Sequence, residues 1–144
     1  MAIMTIEIND AIKSAMLDQA ESCFPNESCG FIIGSYTAGV AKGDYYIPCD
    51  NDHGHNQQRR FLIDPMAYQL AEDTADANGQ SIISIVHSHP DHPDQPSEFD
   101  RLHAWPGLSY IIIAVFAGRV RSYRSWQLSD DRSEFHQEVI NPGD

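Results

Sequence analysis

Ser81-Ile82-Ile83-Ser84-Ile85-Val86-His87-Ser88-His89-Pro90 is the stretch on which the reading of this chain turns. Its β-branched run from Ile82 to Val86 reads as a buried strand. Side chains two apart on a strand share a face, so His87 and His89 point the same way. Pro90 ends the regular pairing, and Asp91-His92-Pro93-Asp94-Gln95-Pro96 reads as a loop whose prolines restrict its freedom. Ser97 then opens a short helix that puts Asp100 in its first turn. Two imidazoles and one carboxylate form the protein half of a catalytic zinc site, with a fourth position left for water. Asp100 has a competing reading, because Ser97-Glu98-Phe99-Asp100 also fits a capping box.

Upstream, Met4 to Ile8 is a short β-like segment, and Asn9 or Asp10 caps a helix with Ile12, Met16, Ala20 and Cys23 at helical spacing. That helix ends before Pro25. Glu27 follows in the turn before the apolar strand Phe31-Ile32-Ile33, which pairs as a hairpin with Val40 to Ile47. Pro48 to Arg60 lacks a period and reads as a long loop. Phe61-Leu62-Ile63 reads as a strand, and Asp64-Pro65 as the start of a helix with Ala67, Leu70, Ala71, Thr74 and Ala77 on one face. Asn78-Gly79 stops it.

Downstream, Ser109 to Phe116 is apolar on both faces and reads as a central strand. Ala117-Gly118-Arg119 turns the chain back into Val120 to Trp126. Ser133 to Ile140 is a weaker last strand and Asn141 to Asp144 a frayed tail. The sum is an α/β fold: a single domain, residues 1–144, with a mixed β-sheet flanked by about three helices.

Composition narrows the function classes. The 144 residues, 42% of them hydrophobic, suffice for one globular core. Twenty-one acids against nine bases give a net charge of -12, which speaks against nucleic acid as a partner. Three cysteines, Cys23, Cys29 and Cys49, do not make a disulfide framework and point to a reducing, cytoplasmic location. The N-terminal residues show no signal-peptide pattern, and no apolar run has the length of a membrane span.

Glu27 is the partner that a two-histidine, one-carboxylate site lacks. Zinc lowers the pKa of a bound water towards ~7, and hydrolysis still needs a base to pass its proton to the leaving amine. Taken alone, Glu27 reads first as a solvated loop carboxylate. Cys29 reads as a buried strand cysteine in preference to a group touching metal or substrate. His53 and His55 repeat the His-x-His spacing in a polar loop without a third ligand, and His92 reads as solvated or as a substrate contact. Tyr110, Tyr123 and Trp126 read as core or sheet-face aromatics.

Glu27, His87-Ser88-His89-Pro90, six residues, Ser97, two residues and Asp100 together resemble the signature of the JAMM (MPN-plus) metalloproteases. Pro25-x-Glu27-x-Cys29-Gly30, Phe61-x-Ile63-Asp64-Pro65 and Trp105 to Tyr110 are similar to the small prokaryotic members, so the resemblance runs from about Glu21 to Phe116. It implies a JAMM/MPN, cytidine-deaminase-like architecture. It further implies one Zn2+ per chain held by His87, His89 and Asp100, with Glu27 as general base and acid and Ser97 as oxyanion donor. The substrate it implies is a peptide or isopeptide bond after the Gly-Gly tail of a ubiquitin-like or sulfur-carrier protein. Two alternatives stay open: a non-catalytic MPN-type binding module, and a peptidase associated with cell walls or phage tails. A zinc base deaminase fits poorly, because it needs a Cys-x-x-Cys pair that this sequence lacks. A DNA-repair-associated group shares the His-x-His-Pro spacing, but the acidic balance and the surroundings of Glu27 favour the first reading. Oligomeric state is not legible.

Overall fold

The computed structural model describes residues 5–49 and 65–143. The chain runs β1 (Thr5–Ile8), α1 (Asp10–Cys23), β2 (Cys29–Thr37), β3 (Val40–Cys49), α2 (Pro65–Ala77), β4 (Ser81–Pro90), α3 (Glu98–His103), β5 (Ser109–Phe116), β6 (Arg119–Leu128) and β7 (Phe135–Pro142). A mixed sheet with three helices is the α/β class that the hydrophobic periods predict. The proposed strand at 61–63, its Asp64 cap, and His53 and His55 lie outside the described residues.

The strand order is β1-β3-β2-β4-β5-β6-β7, and the sheet closes because β1 pairs in parallel with both β3 and β7. Closure is the one feature of the sheet that the strand pattern does not announce. It also corrects the C-terminal reading: Asn141 and Pro142 are strand residues paired with Glu7 and Ile8, and the Gly143 amide donates to the Ile8 carbonyl. The frayed tail is therefore held by ladder bonds through Pro142. Likewise Pro48 and Cys49 belong to β3, opposite Gly30 and Cys29, and not to a loop.

Two apolar clusters lie on opposite faces of the sheet. On one, Ile12, Met16 and Ala20 of α1 pack on Ile32, Ile83, Val86, Ile111 and Ile113. The Asn9 side chain caps that helix by accepting from the Ile12 amide at 2.9 Å. On the other face, Ala71 and Ala75 of α2 meet Phe31, Ile33, Ile85 and Tyr110. The inward stripe of α2 is thus Ala67-Ala71-Ala75, while Leu70, Thr74 and Ala77 face solvent. Three small residues at four-residue spacing let the helix lie close on the sheet, which outweighs burial of one leucine.

β4 lies at the centre, antiparallel to β2 and parallel to β5. Its residues Ile82 to Ser88 are all buried, as a strand covered on both faces requires. Between β5 and β6, Ala117 and Gly118 both have positive φ (53° and 82°), the two-residue turn expected there. Among the described residues no helix is long and apolar enough to cross a membrane.

Candidate metal centre

His87 and His89 stand on one face at the C-terminal end of β4. Their Nε2 atoms are 3.2 Å apart. The carboxylate of Asp100 completes the group, with Oδ1 3.3 Å from His87 Nε2 and Oδ2 3.2 Å from His89 Nε2. Tetrahedral zinc with nitrogen and oxygen ligands at about 2.0–2.1 Å needs its donors about 3.3–3.4 Å apart. The three side chains fit that requirement in both type and spacing.

Backbone neighbours fix the donor atoms. His89 Nδ1 lies 2.8 Å from the Pro93 carbonyl oxygen, which can only accept. An Nδ1–H can donate to it and leave Nε2 turned towards Asp100, the kind of outer hydrogen bond that orients metal-binding histidines. Pro93 is held in turn through its neighbour. The Asp94 side chain accepts from the Ser122 hydroxyl at 2.7 Å and pairs with Arg124 at 3.3 Å, and the Trp126 indole donates to the Asp94 carbonyl at 3.0 Å. At the start of the loop the Asp91 amide donates to the Val115 carbonyl at 2.6 Å, and Asp91 Oδ1 accepts from the Ala117 amide.

Asp100 caps α3 and also faces the two imidazoles. Its amide donates to Ser97 Oγ at 3.0 Å, and its Oδ2 accepts from the Ser97 amide at 2.8 Å, a complete capping box on α3. The same carboxylate faces both imidazoles. Burial works to raise its pKa, but the pull of His87 and His89 outweighs burial and holds it well below the usual carboxylate range. For His87 burial outweighs the opposing pull of Asp100 and keeps the imidazole below its ordinary value.

Glu27 enters from the segment before β2. Ser28 and Ser88 bind each other reciprocally: the Ser28 amide donates to Ser88 Oγ at 2.8 Å, and the Ser88 amide to the Ser28 carbonyl at 3.1 Å. With Cys29 opposite His87 in the ladder, this brings Glu27 beside the histidines. Its nearest carboxylate oxygen and ring nitrogens of His87 and His89 all lie within 4.8 Å of one another. It is buried, and burial first, then the charge of Asp100, push its carboxyl up to about 8. Ser97 is exposed beside the site, and its hydroxyl, while accepting from Asp100, keeps a proton to donate.

All five residues singled out in the sequence thus converge. Ser88, Asp94 and Trp126 were missed. Alternation alone places Ser88 on the face opposite the histidines, but nothing local tells Asp94 from its exposed neighbours. Cys29 is buried in β2 as expected, and His92 is exposed.

The family model for prokaryotic homologs of the JAB domain matches residues 9–129. Tail tip assembly protein K of Escherichia phage N15 is 33% identical over 87 residues, 60% of this chain and 31% of that protein. The chain thus spans about a third of that relative's length. A desampylase of Haloferax volcanii is 24% identical over 110 residues, 76% of this chain and 77% of that one. The solution structure of a protein from Desulfitobacterium hafniense superposes with a TM-score of 0.82 at 26% identity, covering 99% of this chain and 94% of the other. A JAB1/MPN domain protein from Archaeoglobus fulgidus shares the fold, with a TM-score of 0.56 at 20% identity over 97% of this chain and 99% of its own. With the family model spanning most of its length, this chain belongs to the prokaryotic homologs of the JAB domain.

Proposed function

We propose that this protein, read as a single JAMM/MPN domain over residues 1–144, is a zinc-dependent hydrolase. Its substrate is a peptide or isopeptide bond after the Gly-Gly tail of a ubiquitin-like or sulfur-carrier protein. The convergence of His87, His89 and Asp100 at zinc-ligand spacing, with a buried glutamate beside them, carries this reading. Similarity to a desampylase supports the substrate class. A cytoplasmic location follows from the cysteine content.

His87 and His89, through Nε2, and Asp100, through a carboxylate oxygen, would hold one zinc. An ion held there would supply Lewis acidity and make the attacking water more acidic. Glu27 takes the proton of the attacking water at a carboxylate oxygen and delivers it to the leaving amine nitrogen. Its burial keeps it out of bulk water, so the proton is retained between the two transfers. The Ser97 hydroxyl donates to the carbonyl oxygen as negative charge develops on it. Pro93 and Asp94 hold the His89 ring in the orientation this requires.

A second reading is a peptidase of a phage-tail or cell-wall assembly, favoured by the similarity to a tail tip assembly protein. One experiment separates the two. Zinc-loaded protein is incubated with Gly-Gly-extended ubiquitin-like carriers, and in parallel with peptidoglycan stem peptides, each followed by mass spectrometry. Release of a carrier ending in Gly-Gly supports the first reading, and cleavage of stem peptides alone supports the second. Cleavage of neither contradicts both.

A further inference from the structure

Beside the metal centre, two thiols meet across a hairpin. Cys29 opens β2, Cys49 closes β3, and the two are direct partners in the antiparallel ladder. Their Sγ atoms are 2.9 Å apart, and the Cys29 thiol also reaches the Cys49 carbonyl at 3.6 Å. Opposed residues on antiparallel strands have Cα atoms about 4.5–5.5 Å apart. That lies inside the span of a disulfide, whose S–S bond is about 2.05 Å long. Joining these sulfurs needs a small side-chain movement and no change of strand pairing.

The surroundings hold the pair in this arrangement. The Gln19 side-chain amide donates to the Cys29 carbonyl at 2.9 Å and to the Cys49 carbonyl at 3.3 Å, clamping both backbones from α1. The Tyr46 hydroxyl donates to the Gln19 side-chain oxygen. Tyr46 in turn lies over Gly30, where a Cβ would come within 2.1 Å of that hydroxyl. Cys29 is buried while Cys49 is half-buried. A small oxidant therefore meets Cys49 first, with Cys29 behind it as the resolving thiol.

We propose that Cys29 and Cys49 form a reversible, peroxide-responsive dithiol site. The Cys49 sulfur attacks the O–O bond of hydrogen peroxide, giving a Cys49 sulfenic acid and one water. The Cys29 sulfur then attacks the sulfenic sulfur. The S–O bond breaks, and the hydroxyl leaves as a second water with the Cys29 proton. Two thiols are oxidised by two electrons, one peroxide is reduced, and a low-molecular-weight dithiol reverses the change. Nothing in the hydrolytic chemistry calls for this pair.

The test uses the full, zinc-loaded chain, reduced, desalted and treated with hydrogen peroxide, then alkylated under denaturing conditions for intact-mass and peptide analysis. Alkylation is expected to fall from three sites to one, with Cys29 joined to Cys49, Cys23 still modified, and full recovery after dithiol treatment. The melting temperature of the oxidised form should rise, because the cross-link restricts the unfolded chain. Cys23→Ser should behave like the parent, and Cys49→Ser should keep both remaining thiols alkylatable. Retention of three alkylated sites in the parent, a cross-link through Cys23, or oxidation of Cys49 to a sulfinic acid in place of the cross-link would each overturn the proposal.

Discussion

Ser97 and Asp100 bind each other across the first turn of α3, each backbone amide donating to the other's side-chain oxygen, at 2.8 and 3.0 Å. The cap thereby sets the orientation of the carboxylate that faces His87 and His89. The capping reading therefore does not exclude the ligand reading: the same carboxylate that closes the cap faces both imidazoles.

Asp100→Asn separates the two contributions. The asparagine carbonyl can still accept from the Ser97 amide, but the carboxylate charge is gone. We expect zinc content to fall below a tenth of the parent's, with folding stability of the metal-free protein reduced by less than about 1 kcal/mol. Ser97→Ala should do the reverse, costing about 1 kcal/mol of stability while zinc remains. Elemental analysis and chemical denaturation of the metal-free proteins read both quantities. Unchanged zinc in Asp100→Asn counts against Asp100 as a ligand.

Asp94 should matter to the metal without touching it. Asp94→Ala removes the contacts to Ser122 and Arg124 that hold the loop, and with it the Pro93 carbonyl behind His89. Outer partners of metal-binding histidines typically contribute about 10–100-fold in affinity. Competition with a chromophoric chelator should show a loss of that order, partly restored in Asp94→Asn, which can still accept from Ser122. Affinity equal to the parent's in a folded Asp94→Ala protein would show that the loop holds itself.

How much of this was legible follows from the range of each signal. His87, His89, Ser97 and Asp100 lie within 14 residues of one another in the chain, and strand alternation with a cap motif places them almost unaided. Glu27 is sixty residues from His87, and its position depends on the Ser28–Ser88 pairing, a long-range contact that no period encodes. Closure of the sheet through β1 was invisible for the same reason: Thr5–Ile8 has two neighbouring strands, and its own sequence names neither. Leu70 misled because apolar spacing along α2 does not say which stripe is small enough to approach the sheet.

Far from the site, Glu138 predicts a pH dependence of stability. It is buried on β7, where the Ser125 hydroxyl donates to Oε1 at 2.5 Å and the Gln127 amide to Oε2 at 3.2 Å. Burial raises its pKa above the ordinary 4.5, against the opposing pull of those hydrogen bonds. Between the unfolded and the raised folded value the native state binds more protons than the unfolded one, so stability falls as pH rises through that window and levels off above it. Glu138→Gln removes this contribution. Melting temperatures of the two proteins should diverge as pH is raised from about 4.5, the parent losing ground. Parallel curves would contradict the assignment.

Glu27→Gln should lower the cleavage rate by about 10²–10⁴-fold, the usual contribution of a positioned general base, with substrate binding little changed. Single-turnover assays at saturating enzyme read this directly. A variant that cleaves at the parental rate excludes Glu27 from proton transfer.

Glu27 lies near enough to the histidines to compete with Asp100 for the ion, so the division of labour among the four side chains needs a direct readout. Native mass spectrometry of zinc-loaded proteins decides it. One zinc per chain is expected in the parent and in Glu27→Gln, and less than a tenth of that in His87→Ala, His89→Ala or Asp100→Asn. Loss of zinc from Glu27→Gln with retention in Asp100→Asn would reverse the two acids' roles and contradict the account.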